Sequence, residues 1–250
     1  IKKNLYIPCT MIDVNSDVGE MTQLLEDGTY YKLMDYITSI NIACGGHAGD
    51  HKFMKTMVRM GIEKNVNVGA HPSYPDKENF GRKIIPMKPP DITETVMKQI
   101  EELLEIAMIE KTILKHVKPH GALYNQAAKS STIAHAIGLA VKKIDPQLTI
   151  VGLSDSIMID TWKDMGLIVA GEAFADRTYE TDRSLRDRKF SNALITNPVQ
   201  AAKQTMMIIK KGGVISADGN TISINAQTIC IHSDTPNALA IAKAVKNVKD

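Results

Sequence analysis

Short β-branched runs alternate with stretches of helical period along almost the whole chain, and that alternation limits the fold more than any other feature of the sequence. Strand signals fall at 12–17, 40–45, 66–71, 116–120, 149–153, 167–173 and 228–232. Helix signals lie between them at 50–64, 90–109, 132–143, 154–165, 198–211 and 236–248. In 50–64, Phe53, Met57, Val58 and Ile62 recur on one side, as an amphipathic helix requires. In 90–109, a start marked by Pro90 and Asp91 leads into Ile92, Val96, Ile100, Leu103, Leu104 and Ala107 at helical spacing. Strand–helix–strand order is the pattern of parallel pairing with helical crossovers. About seven such strands in 250 residues predict a closed or nearly closed β/α barrel and not an open sheet, a fold whose usual length is about 250 residues.

One segment departs from the alternation. Residues 214–224 read VISADGNTISI, two β-branched runs around Asp218, Gly219 and Asn220. Asp-Gly accepts the positive φ of a tight turn, so a small β-hairpin insertion is expected before the last barrel strand. The proline-rich stretch 86–90 is read as a loop before a helix. With no linker, repeat or low-complexity tract, 11–250 is read as a single barrel domain and 1–10 as an N-terminal extension outside its core.

Composition removes several functions. Net charge is +2, with acids and bases interspersed and no basic block, so neither nucleic acid nor a membrane is an expected partner. No apolar run approaches the ~18–20 residues of a membrane span. The opening residues lack the apolar centre of a signal peptide. Three cysteines without a CxxC pair suit a reducing compartment, and the expected location is cytoplasmic.

The strands carry too many polar groups for a buried parallel sheet, which should read as continuous apolar runs. Alternate side chains of a strand share a face. That places Asp13, Asn15 and Asp17 together on the first strand, His116, Lys118 and His120 on the fourth, and Cys230, His232 and Asp234 on the last. Burying a neutral polar group unpaired costs roughly 2–7 kcal/mol, and a charge costs more. These groups must therefore meet each other at the one place several strands converge, the barrel interior and its mouth. His47, His71, Glu172, Asp176 and Arg177 fall on or just beyond other strand ends, the side on which such barrels place active sites. His47 and His51 also have H-x3-H spacing. On one helix face, with Asp13 or Asp17, they would resemble the Asp-His-His metal site of carbohydrate deacetylases. No metal ligand set is assigned from sequence. There is no P-loop, no GxGxxG after a strand and no GxSxG elbow. An acid–base and electrostatic site is the reading that remains.

Six motifs then carry a resemblance: MIDVNSDVGE (11–20), NIACGGHAGD (41–50), GAHPSYPDKENFGR (69–82), KHVKPHGALYNQAA (115–128), FADRTY (174–179) and TICIHSDTPNAL (228–239). In this order they resemble the LamB/YcsF family from Met11 almost to the C-terminus. The resemblance implies a seven-stranded barrel akin to glycoside hydrolase/deacetylase barrels. It also implies the A component of an ATP-dependent 5-oxoprolinase, a hydrolase that opens 5-oxo-L-proline to L-glutamate with ADP and phosphate. ATP, with Mg, would be co-substrate, and separate B and C subunits would be partners. A homo-oligomer is left open. Asp17, His71, Lys118, His120 and Asp176 are the expected catalytic groups, and Asp13, Asn15, Asn41, His47, Arg177 and His232 the expected substrate contacts. Two other readings stand beside this one: a metal-dependent deacetylase or hydrolase of a small amide or sugar, and a non-catalytic substrate-binding subunit. This chain departs from the family at Gly46, usually Phe, and at His51, usually Pro. It departs again at Asp182-Arg183 and Ser191-Asn192, usually Asp-Gly and Pro-Gly, and at Ser233, usually Gly.

Overall fold

A computed structural model describes residues 12–249; the segment 1–10, with Cys9, lies outside the described residues. Six strands come first: β1 (Asp13–Val18), β2 (Ser39–Ala43), β3 (Asn67–His71), β4 (Leu114–Val117), β5 (Thr149–Leu153) and β6 (Val169–Phe174). The expected hairpin follows, β7 (Gly213–Ile215) antiparallel to β8 (Thr221–Ser223). The last strand, β9 (Thr228–Cys230), pairs in parallel with both β1 and β6 and closes a seven-stranded barrel in the order β1-β2-β3-β4-β5-β6-β9.

Two short helices, α1 (Thr22–Glu26) and α2 (Thr29–Leu33), make the first crossover. Then come α3 (His51–Glu63), α4 (Pro89–Ile109), α5 (Gly121–Ala127), α6 (Ser131–Ile144), α7 (Ile157–Asp164), α8 (Pro198–Lys211) and α9 (Ala238–Lys249). Side-chain caps fix several starts. Asp50 accepts from the Phe53 N–H at 2.7 Å, and Asn197, ahead of Pro198, accepts from the N–H groups of Val199 and Gln200. Such caps contribute about 1 kcal/mol each.

The apolar core lies between strands and helices. Val14, Ile40, Ile42 and Ile229 are fully buried, as are Met57, Val58, Val96, Ile100 and Leu103 from α3 and α4. With the branched side chains on the outside, the barrel interior is left to the polar alternates. Helix α1 buries no residue, and five residues are too few to show a period, which explains why α1 and α2 escape the sequence reading. Helix α5 opens at Gly121 in a left-handed conformation, φ 55°, which reads as a turn. Pro119 has no N–H, so β4 ends at Val117, short of the expected 120. The pairing nevertheless continues, because Lys118 N–H donates to Ala70 and His120 N–H to Pro72. That holds Lys118 and His120 alongside the end of β3. Among the described residues no helix is long and apolar enough to cross a membrane.

Candidate active site

Inward alternation on β1 brings Asn15 and Asp17 into one network. Asn41 on β2 donates to the Oδ1 atoms of both, at 2.7 Å each. His116 on β4 donates from Nε2 to Asn41 Oδ1 at 2.7 Å. Its ring lies where the side chain of residue 69 would be, and a Cβ on Gly69 would collide with it. Asn15 Nδ2 donates to Glu172 Oε1 and Thr228 Oγ1. Lys118 sits at the centre, 2.9 Å from Asp17 Oδ1 and 2.9 Å from Glu172 Oε1, with Cys230 Sγ at 3.1 Å. The second Glu172 oxygen accepts from the Tyr124 hydroxyl on α5 at 2.9 Å.

All these side chains are buried, and the charges survive burial only through one another. Burial alone would raise Asp17, but His71 and Lys118 outweigh it and hold the carboxyl well below the usual range. Burial would strip Lys118 of its proton, and the neighbouring Asp17 and Glu172 carboxylates hold its pKa above the ordinary value. His116, with no carboxylate in contact, is pushed by burial down to about 4.

A second cluster lies across Asp17, at the ends of β1 to β4. Glu20, His47, His71 and His120 come from four successive strand ends. Glu20 Oε1 is 3.0 Å from His47 Nε2, 3.4 Å from His120 Nδ1 and 3.8 Å from His71 Nε2. His71 Nε2 is 3.0 Å from His120 Nδ1 and 3.5 Å from Asp17 Oδ2. The rings of His47 and His120 stack at 3.7 Å. Gly81 permits that approach, since a Cβ there would lie 2.8 Å from His47 Cβ and 2.9 Å from His120 Cδ2. Burial pushes His47 and His120 well down and Glu20 up. Burial would also lower His71, but the Asp17 carboxylate raises it instead.

A third group faces the same mouth. Asp176 accepts from the His232 and Thr235 side chains and from the His232 N–H, and His232 stacks on Phe174. His232, Cys230 and Asp17 offer donor atoms within 4.8 Å of one another. Arg177 points elsewhere: its guanidinium donates to the carbonyls of Ala193 and Arg186 and pins the loop after β6. On the rim, Arg82 and Arg188 share Asp234, at 2.7 and 3.2 Å.

The structure thus brings together Asp17, Asn15, Asn41, Lys118, His47, His71 and His120, with Asp176 and His232 beside them. It does not bring Asp13, which lies at the start of β1 and is held by Thr38, Ser39 and Thr228 hydroxyls. Nor does it build the H-x3-H pair. Gly49 turns left-handed and Asp50 caps α3, so His51 starts the helix with an exposed side chain 4.0 Å from Glu102. Glu20 and Tyr124 lie in the candidate site and are absent from the sequence candidates. Glu20 closes the first motif, but on a turn, where strand alternation gives no guidance. Glu172 and His116 carry the polar-strand signal and belong to the central network.

Fold and site define a class: a closed parallel β/α barrel with buried, mutually compensating charges and acid–base side chains at the C-terminal ends of its strands. The profile of the LamB/YcsF family matches residues 12–250, and the chain belongs to that family. It is 48% identical to a Chloroflexus aggregans protein named as the A component of 5-oxoprolinase, over 94% of each chain. It is 44% identical to a protein of the same name from Halalkalibacterium halodurans, over 92% of this chain and 89% of that one. The crystal structure of the lactam utilization protein from Thermus thermophilus superposes with a TM-score of 0.88 at 36% identity, covering 95% of each chain.

Proposed function

We propose that this chain is the lactam-binding and ring-opening component of an ATP-dependent 5-oxoprolinase. The observation that carries the reading is Lys118, a buried cation held between two carboxylates at the mouth of the barrel in a chain so similar to proteins of that name. A five-membered lactam is a resonance-stabilised amide and a poor electrophile. Transfer of the γ-phosphoryl group of ATP to the lactam oxygen activates the carbon and releases ADP. Water then adds to that carbon, and the ring nitrogen leaves with a proton. The resulting acyl phosphate takes a second water and gives L-glutamate and phosphate.

The residues divide this work by position. Lys118 meets the developing negative charge on the former carbonyl oxygen. His120, His71 and Asp17 move protons to the ring nitrogen and from the attacking water. Asn15 and Asn41 hold Asp17 and Lys118 in place, since their amides are occupied within the network. Asp176 orients His232. Arg82, exposed, and Arg188, half-buried, offer guanidinium groups at the rim for phosphate oxygens, whereas Arg177 is committed to its loop. Mg accompanies ATP as co-substrate, and B and C subunits complete the enzyme.

Glutamate release and ATP hydrolysis, measured with this chain alone and then with B and C subunits, test the proposal. Glutamate is expected only from the mixture and only with ATP. His120→Ala and Asp17→Asn should lower turnover by about 10²–10⁴-fold, the usual contribution of a positioned proton-transfer group. No lactam opening in either condition would remove the substrate assignment.

A further inference from the structure

The histidine cluster has a feature that acid–base chemistry does not explain. His71 donates from Nδ1 to the Lys118 carbonyl at 2.7 Å. His120 donates from Nε2 to the Phe80 carbonyl at 2.9 Å. A carbonyl only accepts, so each ring spends its N–H outward. In the neutral rings the inner nitrogens, His71 Nε2 and His120 Nδ1, are then both acceptors, and they face each other at 3.0 Å. Glu20 Oε1 and His47 Nε2 point into the same space, 3.0 Å apart. Two lone pairs and a carboxylate oxygen converge there; a proton on His71, which Asp17 favours, would bridge the His71–His120 pair alone, whereas a cation placed among them engages all four atoms.

The geometry specifies the cation. Four donors around a tetrahedral Zn²⁺ at about 2.0–2.2 Å lie roughly 3.3–3.6 Å from one another. Four of the six separations within the cluster are 3.0, 3.0, 3.4 and 3.8 Å, and all four donor atoms lie within 4.8 Å of one another. Outward donation to backbone carbonyls is the supporting shell that fixes tautomer and ring orientation in metal-binding histidines. The backbone is bent to supply it: Phe80, whose carbonyl holds His120, sits at φ 56°, a conformation costing of order 1–3 kcal/mol in a non-glycine residue.

We infer that Glu20, His47, His71 and His120 form a binding site for one first-row divalent ion, Zn²⁺ foremost, at the mouth of the barrel. Three imidazoles exclude Mg²⁺, which takes oxygen ligands, so this ion is distinct from the one that accompanies ATP. Asp17 Oδ2, 3.5 Å from His71 Nε2, stands at the edge of the site. From there the ion would neighbour both the Asp17–Lys118 pair and any bound carbonyl; with His71 and His120 held by it, proton transfer would fall to Asp17 and the histidines would act through the ion. The site differs from the H-x3-H arrangement weighed from sequence, because His51 takes no part. The inference stands on the four side chains and does not rest on the lactam reading.

Direct binding to the full chain, without partners or substrate, tests it. Chelator-treated protein is titrated with Co²⁺ and with Zn²⁺, and content is measured by elemental analysis. One equivalent per chain is expected, with the visible d–d bands of tetrahedral Co²⁺ and a higher melting temperature. Glu20→Gln keeps the volume and removes the anionic donor. His47→Gln removes one imidazole, and circular dichroism checks that both variants fold. Each should weaken binding by roughly 100-fold or more, beyond the 10–100-fold cost of losing an outer-shell partner. Absence of a stoichiometric ion in the wild type would overturn the site. So would affinity unchanged in both folded variants, or lost on replacing the exposed His51 and His135.

Discussion

Lys118 and His71 both lean on Asp17, yet the groups around them are closed in opposite ways. Around Lys118, each donor meets an acceptor: Asn41 donates to Asp17, Asn15 and Tyr124 donate to Glu172, His116 donates to Asn41, and Thr228 accepts from Asn15. Around His71, acceptors face acceptors, and His47 Nδ1 is a buried atom without a hydrogen-bond partner. The first group compensates itself and can be made by folding alone. The second is completed by something the chain does not contain. A scaffold and a receptor for a cation therefore share one carboxylate, and single substitutions should separate them by what they damage.

The largest effect is expected at the self-compensating group. Lys118→Met leaves Asp17 and Glu172 as buried negative charges with no cation between them. Removing one partner of a buried pair costs about 3–5 kcal/mol, and urea unfolding should show a loss of that size. Adding Glu172→Gln to Lys118→Met should recover part of it. If Lys118→Met unfolds at the wild-type urea midpoint, the network is not held by charge and the contrast with the histidine cluster fails.

A smaller loss should appear with acid. Folding depresses the pKa of His116 from 6.5 to about 4, so between those values the unfolded chain binds a proton that the folded chain refuses. The contribution of His116 is fully present above about pH 6.5 and is lost progressively as pH falls toward 4. A shift of this size corresponds to about 3 kcal/mol. His116→Gln keeps a donor for Asn41 and cannot titrate. Its stability should fall less than the wild type's between pH 7 and pH 4.5, measured by urea unfolding at each pH. Equal slopes would show that the interior is wetter around His116 than its hydrogen bonding to Asn41 suggests.

The same contrast explains what the sequence discloses. Strands and long helices are legible because a period of two or of 3.6 is repeated many times, and apolar side chains are pulled to one face. The scaffold half of the site is legible for a related reason. Asp13, Asn15 and Asp17 violate the apolar rule of a parallel strand, and a violation repeated on three strands marks the interior. Alternation cannot say how far up the barrel each group sits, so Asp13 stands in the same pattern as Asp17 but lies at the opposite end of β1. The cation-binding half is written in turns. Glu20 follows a glycine, and His120 depends on a left-handed Phe80–Gly81 turn some 40 residues away. Nothing periodic connects such residues. The close approach of two loops through Gly81 and Gly121, where a Cβ on Gly121 would meet the Gly81 carbonyl at 2.5 Å, is a tertiary fact. Arg183 makes the converse point. It stands where the resemblance leads one to expect the glycine of an Asp-Gly pair and is left-handed at φ 71°, so the backbone takes a conformation that glycine favours without the glycine signal.

The smallest effect sharpens the comparison most, because it concerns a histidine that sequence spacing would place in the cluster. His51 stands four residues after His47, a separation that in a continuous helix would bring both rings to one face. Here the chain reverses at Gly49, φ 81°, and Asp50 restarts it as a capped helix, so His51 faces solvent with 65% of its side chain exposed. An exposed side chain 4.0 Å from a solvated Glu102 carboxylate gives little, and surface substitutions of this kind stay within about 0.5 kcal/mol. His51→Ala should leave the melting temperature, the ion stoichiometry and the Co²⁺ spectrum as they are in the wild type. A drop in ion affinity in this variant alone would mean that the Gly49–Asp50 turn opens in solution and that α3 extends back toward His47. The cation would then be held by a helix face and not by four strand ends, and the division of the mouth into a rigid scaffold and a convergent receptor would have to be redrawn around α3.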